Sequence, residues 1–83
     1  MEYAEVLHLL TLEKYRKIIE FLEINPNDGF SKTHLSKLLK IHRNTITKYV
    51  EKLYQLGLLL KEKSSNRTLY SLNMKTYKNI KPS

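Results

Sequence analysis

The run Arg43-Asn44-Thr45-Ile46-Thr47-Lys48 sets guanidinium, carboxamide, hydroxyl and ammonium groups within six residues. A guanidinium or ammonium donates to the O6 and N7 atoms of guanine. A carboxamide pairs bidentately with adenine, and a Thr methyl touches the methyl of thymine. A helix advances about 100° per residue, and Ile46, Val50 and Leu53 mark its apolar side. The opposite side then carries Asn44, Thr47, Lys48, Glu51 and Gln55, with Arg43 and Thr45 flanking it at the start. Arg43, Asn44, Thr47 and Lys48 are the candidate base-contacting residues, and Thr45 is better placed for a phosphate. Glu51 is the odd member. It either accepts from cytosine or lies beyond the groove and repels non-cognate sites.

More cations lie on both sides of this run. Lys32, Lys37 and Lys40 precede it, and with His42 they form the candidate phosphate-contacting set. Lys61, Lys63 and Arg67 follow it. Arg67 falls at a turn from which it can enter a minor groove, where an arginine senses groove width. Each phosphate neutralised on duplex DNA adds about 0.9 to the salt slope.

Other chemistry finds little support. His8, His34 and His42 share no metal-ligand spacing, and the chain has no cysteine, so no metal site or cofactor is expected. Ser31, His34 and Ser36 are close in sequence but have no acid partner or oxyanion loop. The only glycines are Gly29 and Gly57, too few for a phosphate-cradling loop. The six tyrosines fall mostly on apolar stripes and belong to a core or an interface. The chain is not expected to be an enzyme, and no effector pocket is evident.

The elements that must position these groups follow from periodicity. Tyr3, Val6, Leu7 and Leu10 recur at helical spacing, as do Leu12, Tyr15, Ile18, Ile19 and Leu22 with Thr11 as N-cap. Asn25-Pro26-Asn27-Asp28-Gly29 stops that second helix. A third begins at the N-cap Ser31 and buries Leu35, Leu38 and Leu39. After the connector Lys40-Ile41-His42, a fourth buries Ile46, Tyr49, Val50, Leu53 and Leu56 and ends at Gly57, where a left-handed cap is cheapest. Leu10 with Tyr15, Phe30 with Leu35 and Ile41 with Ile46 have the spacing of hydrophobic staples. Two apolar-rich runs flanking Ser64-Ser65-Asn66-Arg67 read as a β-hairpin, with Tyr70 and Leu72 closing over the helices. Met74, Tyr77 and Ile80 mark one or two helical turns or a frayed tail.

Charge divides along the same boundary. Residues 1–30 hold three basic and six acidic side chains. Residues 31–83 hold twelve basic and only two acidic ones, Glu51 and Glu62, within a net charge of +7. Such segregation is the electrostatic footprint expected for a polyanion. At 83 residues the chain is one domain with a marginal core, for which dimerisation is an economical source of stability. The expected divisions are an N-terminal extension over 1–10, a core over 11–72 and a tail over 73–83. No apolar run approaches the ~20 residues of a membrane span, and the start Met1-Glu2-Tyr3 lacks the basic residues of a secretory signal. A cytoplasmic, nucleoid-associated location is the expectation.

The stretch FSKTHLSKLLKIHRNTITKYVEKLYQLGLLLKEKSSNRTLYSL resembles the core of winged helix-turn-helix regulators of the multiple-antibiotic-resistance and arsenic-repressor types, with their small archaeal, plasmid and viral relatives. The closest likeness is in RNTITKYVEKLYQLGLL. Two positions depart from the pattern. His42 stands where an N-cap serine is usual, and Ile41 follows Lys40 where a glycine is common. The resemblance implies a mostly α fold with a small β-hairpin: a three-helix core plus wing, here with an extra N-terminal helix. It also implies a sequence-specific duplex-DNA-binding transcriptional regulator, most often a repressor, working as a homodimer. The fourth helix would enter the major groove and the wing would meet the minor groove. Tyr3, Val6, Leu7, Leu10, Met74, Tyr77 and Ile80 are the candidate dimer surface. The alternatives are a winged-helix module that binds protein or RNA, or a DNA-binding part of plasmid or viral replication or partition machinery.

Overall fold

The structure is a computed structural model that describes His8 and residues 11–80, with Ile80 as backbone only. Three helices come first: α1 (Glu13–Ile24), α2 (Lys32–Leu39) and α3 (Arg43–Gln55). An antiparallel hairpin of β1 (Leu59–Ser64) and β2 (Arg67–Leu72) follows, and then a short helix α4 (Met74–Ile80). The chain is thus mostly helical with one hairpin. Among the described residues no helix is long and apolar enough to cross a membrane.

The apolar stripes meet in one core. It takes Tyr15, Ile18, Ile19 and Leu22 from α1, Leu35 from α2 and Ile46, Val50 and Leu53 from α3. Leu58, Leu59, Tyr70 and Leu72 close it from the hairpin, and Tyr77 closes it from α4. Each fully buried Leu or Ile stabilises the fold by about 1.5–3 kcal/mol. No charged or polar residue is buried among the described residues.

Three expected positions are corrected. Thr11 does not cap α1: its hydroxyl donates to the His8 carbonyl at 2.6 Å, and the cap position falls to Leu12. As a cap, Leu12 lies off the helical screw, which takes it out of the apolar stripe and leaves it 41% exposed. Leu10, expected to staple against Tyr15, lies outside the described residues. Leu38 is 47% exposed, because the core side of the short α2 runs through Leu35 and Leu39, four residues apart.

The turn between α2 and α3 is fixed by Ser36 and Lys40. Lys40 adopts the left-handed conformation (φ 55°, ψ 42°), so both its amide and that of Ile41 donate to the Ser36 carbonyl. The Ser36 hydroxyl in turn donates to the Ile41 carbonyl at 2.6 Å. At the other end of α3 the Leu58 amide donates to the Leu53 carbonyl and the Gly57 amide to the Tyr54 carbonyl. This is a Schellman motif, with Gly57 at φ 83° supplying the left-handed residue.

The hairpin turns through Ser65 and Asn66, and an isolated β-bridge joins Phe30 to its edge at Tyr70. Phe30 and Tyr70 exchange both backbone hydrogen bonds, at 2.9 and 2.8 Å. Gly29 permits this approach, since a Cβ there would stand 2.9 Å from the Leu69 Cβ. At the hairpin's root Asn73 bonds four ways, its carbonyl accepting from the Tyr77 amide. Its amide N–H donates to the Leu58 carbonyl, its side chain donates to the Gly57 carbonyl, and its Oδ1 accepts from the Thr76 amide in the first turn of α4.

Candidate nucleic-acid interface

α3 starts from an unusual cap. His42 takes the N-cap position, and its Nδ1 accepts from the Asn44 amide at 3.2 Å. An accepting Nδ1 places the proton of the neutral ring on Nε2, which leaves Nε2–H as its remaining donor. Ile41 before the cap and Ile46 after it are both buried, as are Phe30 and Leu35 around the Ser31 cap of α2, so both of these expected staples keep their register. α3 is therefore held firmly at the end where its polar residues emerge.

Asn44 and Lys48 are exposed and lie one turn apart on the outermost side of α3. Arg43 is exposed, and Thr47 is half-buried one turn further along. Continuing that row another turn leads to Glu51, whose contacts show that the row faces α2 and the hairpin. Thr45 is half-buried toward the other flank.

Four of the expected cations converge on one groove. Its walls are the start of α2, the start of α3 and the hairpin turn, and it encloses about 1100 Å³. Lys32, Lys37, Arg43 and Arg67 line it together with Ser, Thr and Asn side chains, and no carboxylate does. Lys37, Lys40, Arg43, Lys48, Lys63 and Arg67 form no ion pair among the described residues. On α1 the opposite holds: Arg16 pairs with Glu20 and Lys17 with Glu13, each at 3.4 Å. The charge division of the sequence is therefore sharper in space, because two of the three cations of α1 are paired within the helix.

One expected phosphate holder, Lys32, and one hairpin lysine, Lys61, are engaged within the chain. Glu51 Oε1 lies 2.9 Å from Lys32 Nζ and 3.9 Å from Lys61 Nζ, and it accepts from the Tyr70 hydroxyl at 3.0 Å. Lys61 Nζ also stands 4.3 Å from the centroid of the Tyr54 ring. The hydrogen bond from Lys32 holds the Glu51 carboxyl below its ordinary range, and the same bond holds the Lys32 ammonium above its own. The expectation that Glu51 meets cytosine has to accommodate these three partners. Sequence reasoning missed the cluster, although Glu51 as the single acid on a basic helix face was its visible signal.

The expected dimer residues divide. Tyr3, Val6, Leu7 and Leu10 lie outside the described residues, as does the Ile80 side chain. Met74 packs partly buried against the core. Tyr77 is only 7% exposed, with its hydroxyl donating to Glu23 Oε1 at 3.4 Å. Its ring is thus occupied within the chain's own fold, because Asn73 docks α4 back onto the end of α3. Among the described residues no cluster of His, Asp or Glu is arranged to hold a metal.

Comparison of the chain with family models, with characterised proteins and with solved structures returned no match.

Proposed function

We propose that this chain is a winged helix-turn-helix protein that binds duplex DNA and regulates transcription. In this reading α3 enters the major groove and the hairpin is the wing. The observation that carries it is the convergence of Lys37, Arg43 and Arg67, from three separate elements, on one carboxylate-free groove beside the exposed face of α3. A helix of 10–12 Å diameter matches a major groove about 12 Å wide. Asn44 and Lys48, outermost on α3, are the primary base readers, and Thr47 contributes its methyl. Arg43 stands where base edge and backbone meet. Lys37, Lys40, His42 Nε2–H, Thr45, Lys63 and Arg67 hold phosphates, with Arg67 nearest the minor groove.

One α3 reads only a short half-site, and a homodimer doubles it at a spacing of one helical turn. Tyr3, Val6, Leu7 and Leu10, together with Met74 and Ile80, supply the pairing surface in this proposal. The deciding experiment is a salt titration on duplex probes, followed by selection of bound sequences from a random duplex pool. The expected result is a log–log slope that reports several phosphates and a palindromic selected motif. Weak binding at low salt with no slope would overturn the proposal. Slope without a motif would reassign the protein to non-specific or architectural binding.

A further inference from the structure

The Glu51 cluster has a consequence beyond holding the hairpin in place. The carboxylate sits on the row of α3 that faces α2 and the hairpin. It gathers one lysine from each: Lys32 at 2.9 Å and Lys61 at 3.9 Å. The Tyr70 hydroxyl donates to the same Oε1 and thereby aims it. Tyr70 is itself fixed, being 2% exposed and bonded through its backbone to Phe30. The carboxylate is therefore held in place by a core residue, with the two flexible lysines drawn to it. Glu51 and Glu62 are the only acids in residues 31–83, so a carboxylate partner is scarce in the basic half.

We propose that Glu51 is a specificity-determining positioning residue that withholds Lys32 and Lys61 from the phosphate backbone. The proposal rests on the DNA-binding reading above. Phosphate contacts raise affinity for every sequence alike, whereas base contacts discriminate. A carboxylate that competes with phosphate for two lysines lowers sequence-independent affinity and leaves Asn44 and Lys48 their full effect. Anchoring Lys61 and Tyr70 to Glu51 also fixes where the hairpin leaves α3.

The test compares salt slopes on a random duplex and on a selected site. Glu51→Gln keeps an oxygen for the Tyr70 hydroxyl and removes the charge. It is expected to steepen the slope on random duplex by about 0.9 to 1.8, one or two added phosphates. Affinity for random duplex at about 0.1 M salt should rise roughly 5- to 50-fold, with a smaller rise on the selected site. An unchanged or shallower slope would overturn the proposal. A charge-matched pair of variants gives an independent reading in the native background. Lys32→Met should change the slope much less than Lys37→Met, and equal losses would overturn the proposal even if Glu51→Gln failed to fold. Failure of the DNA reading is distinct, because the unmodified chain would then show no salt slope at all.

Discussion

The Tyr15 ring of α1 stacks on the Tyr49 ring of α3, with centroids 4.3 Å apart and planes inclined by 25°. The contact bolts α1, whose three acids and three bases balance, to the helix that carries the candidate base readers. It lies on the flank of α3 opposite the hairpin. Such a pair is worth about 0.5–1.5 kcal/mol beyond the area it buries. A double-mutant cycle with Tyr15→Leu and Tyr49→Leu, followed by urea denaturation, should return a coupling of that size. Strict additivity would show that the rings pack independently.

The same ring predicts an alkaline limb in stability. Burial holds the Tyr15 hydroxyl above the ordinary value of 10.0, with Tyr49 adding to the shift and Lys52 opposing it. Lys32 is likewise raised above 10.5. Groups raised on folding contribute stability that is complete below their unfolded values and is lost as the pH climbs through the folded ones. Glu51 is lowered from 4.5, so its contribution is present above that value and is lost as the pH falls through the folded one. The urea midpoint should therefore be flat between about pH 5 and 9 and fall on both sides. Tyr15→Phe should flatten the alkaline fall, and an unchanged alkaline limb would refute the assignment.

Lys40 holds a left-handed conformation that costs a non-glycine residue about 1–2 kcal/mol. Lys40→Gly should raise stability by about 0.5–1 kcal/mol, or roughly 4 °C in Tm for a domain of this size. If Lys40 also holds a phosphate, the same variant should lower the salt slope on duplex DNA by about 0.9. Calorimetry and a binding titration on one preparation separate the two effects.

Base readers and phosphate holders should differ in which DNA they affect. Asn44→Ala and Lys48→Ala should each weaken binding to a selected site by about 1–3 kcal/mol and leave random duplex nearly unaffected. Lys37→Ala and Arg67→Ala should weaken both alike and reduce the slope by about 0.9 each. An equal loss on both probes for Lys48→Ala would move it to the phosphate set.

Gly57 meets nothing within 4 Å of where a Cβ would be, so Gly57→Ala probes backbone conformation alone. At φ 83° the variant should lose about 1 kcal/mol in a denaturation experiment. No loss would mean that the end of α3 relaxes into another cap.

Most of the helical frame was legible because each helix buries a stripe that repeats at helical spacing. Ile46, Val50 and Leu53 fell where their spacing put them, and Ser31 and Gly57 capped as their types predict. The errors lie where one residue had two competing uses. Thr11 bonds backward to His8 rather than forward, and Leu38 repeats at a spacing that α2 is too short to bury. The exchange between Phe30 and Tyr70 and the gathering of Lys32 and Lys61 by Glu51 join residues far apart in the chain. Local pattern carries no signal for such pairings. Tyr77 read as surface because its position in the core depends on Asn73 folding α4 back over the end of α3.

The hairpin is stiff at its root and unsupported at its tip. Asn73 ties its two ends together at Gly57 and Leu58, and Phe30 and Glu51 grip it at Tyr70. Beyond Glu62 and Leu69, which packs against Gly29, the hairpin extends for about three residues, a lever of some 10 Å at ~3.3 Å per residue. A swing of about 10° would carry the tip roughly 2 Å, a third of the ~6 Å width of a minor groove. Arg67 would then ride on a short cantilever that follows local changes in groove width, while the clamped root keeps that motion from reaching α3.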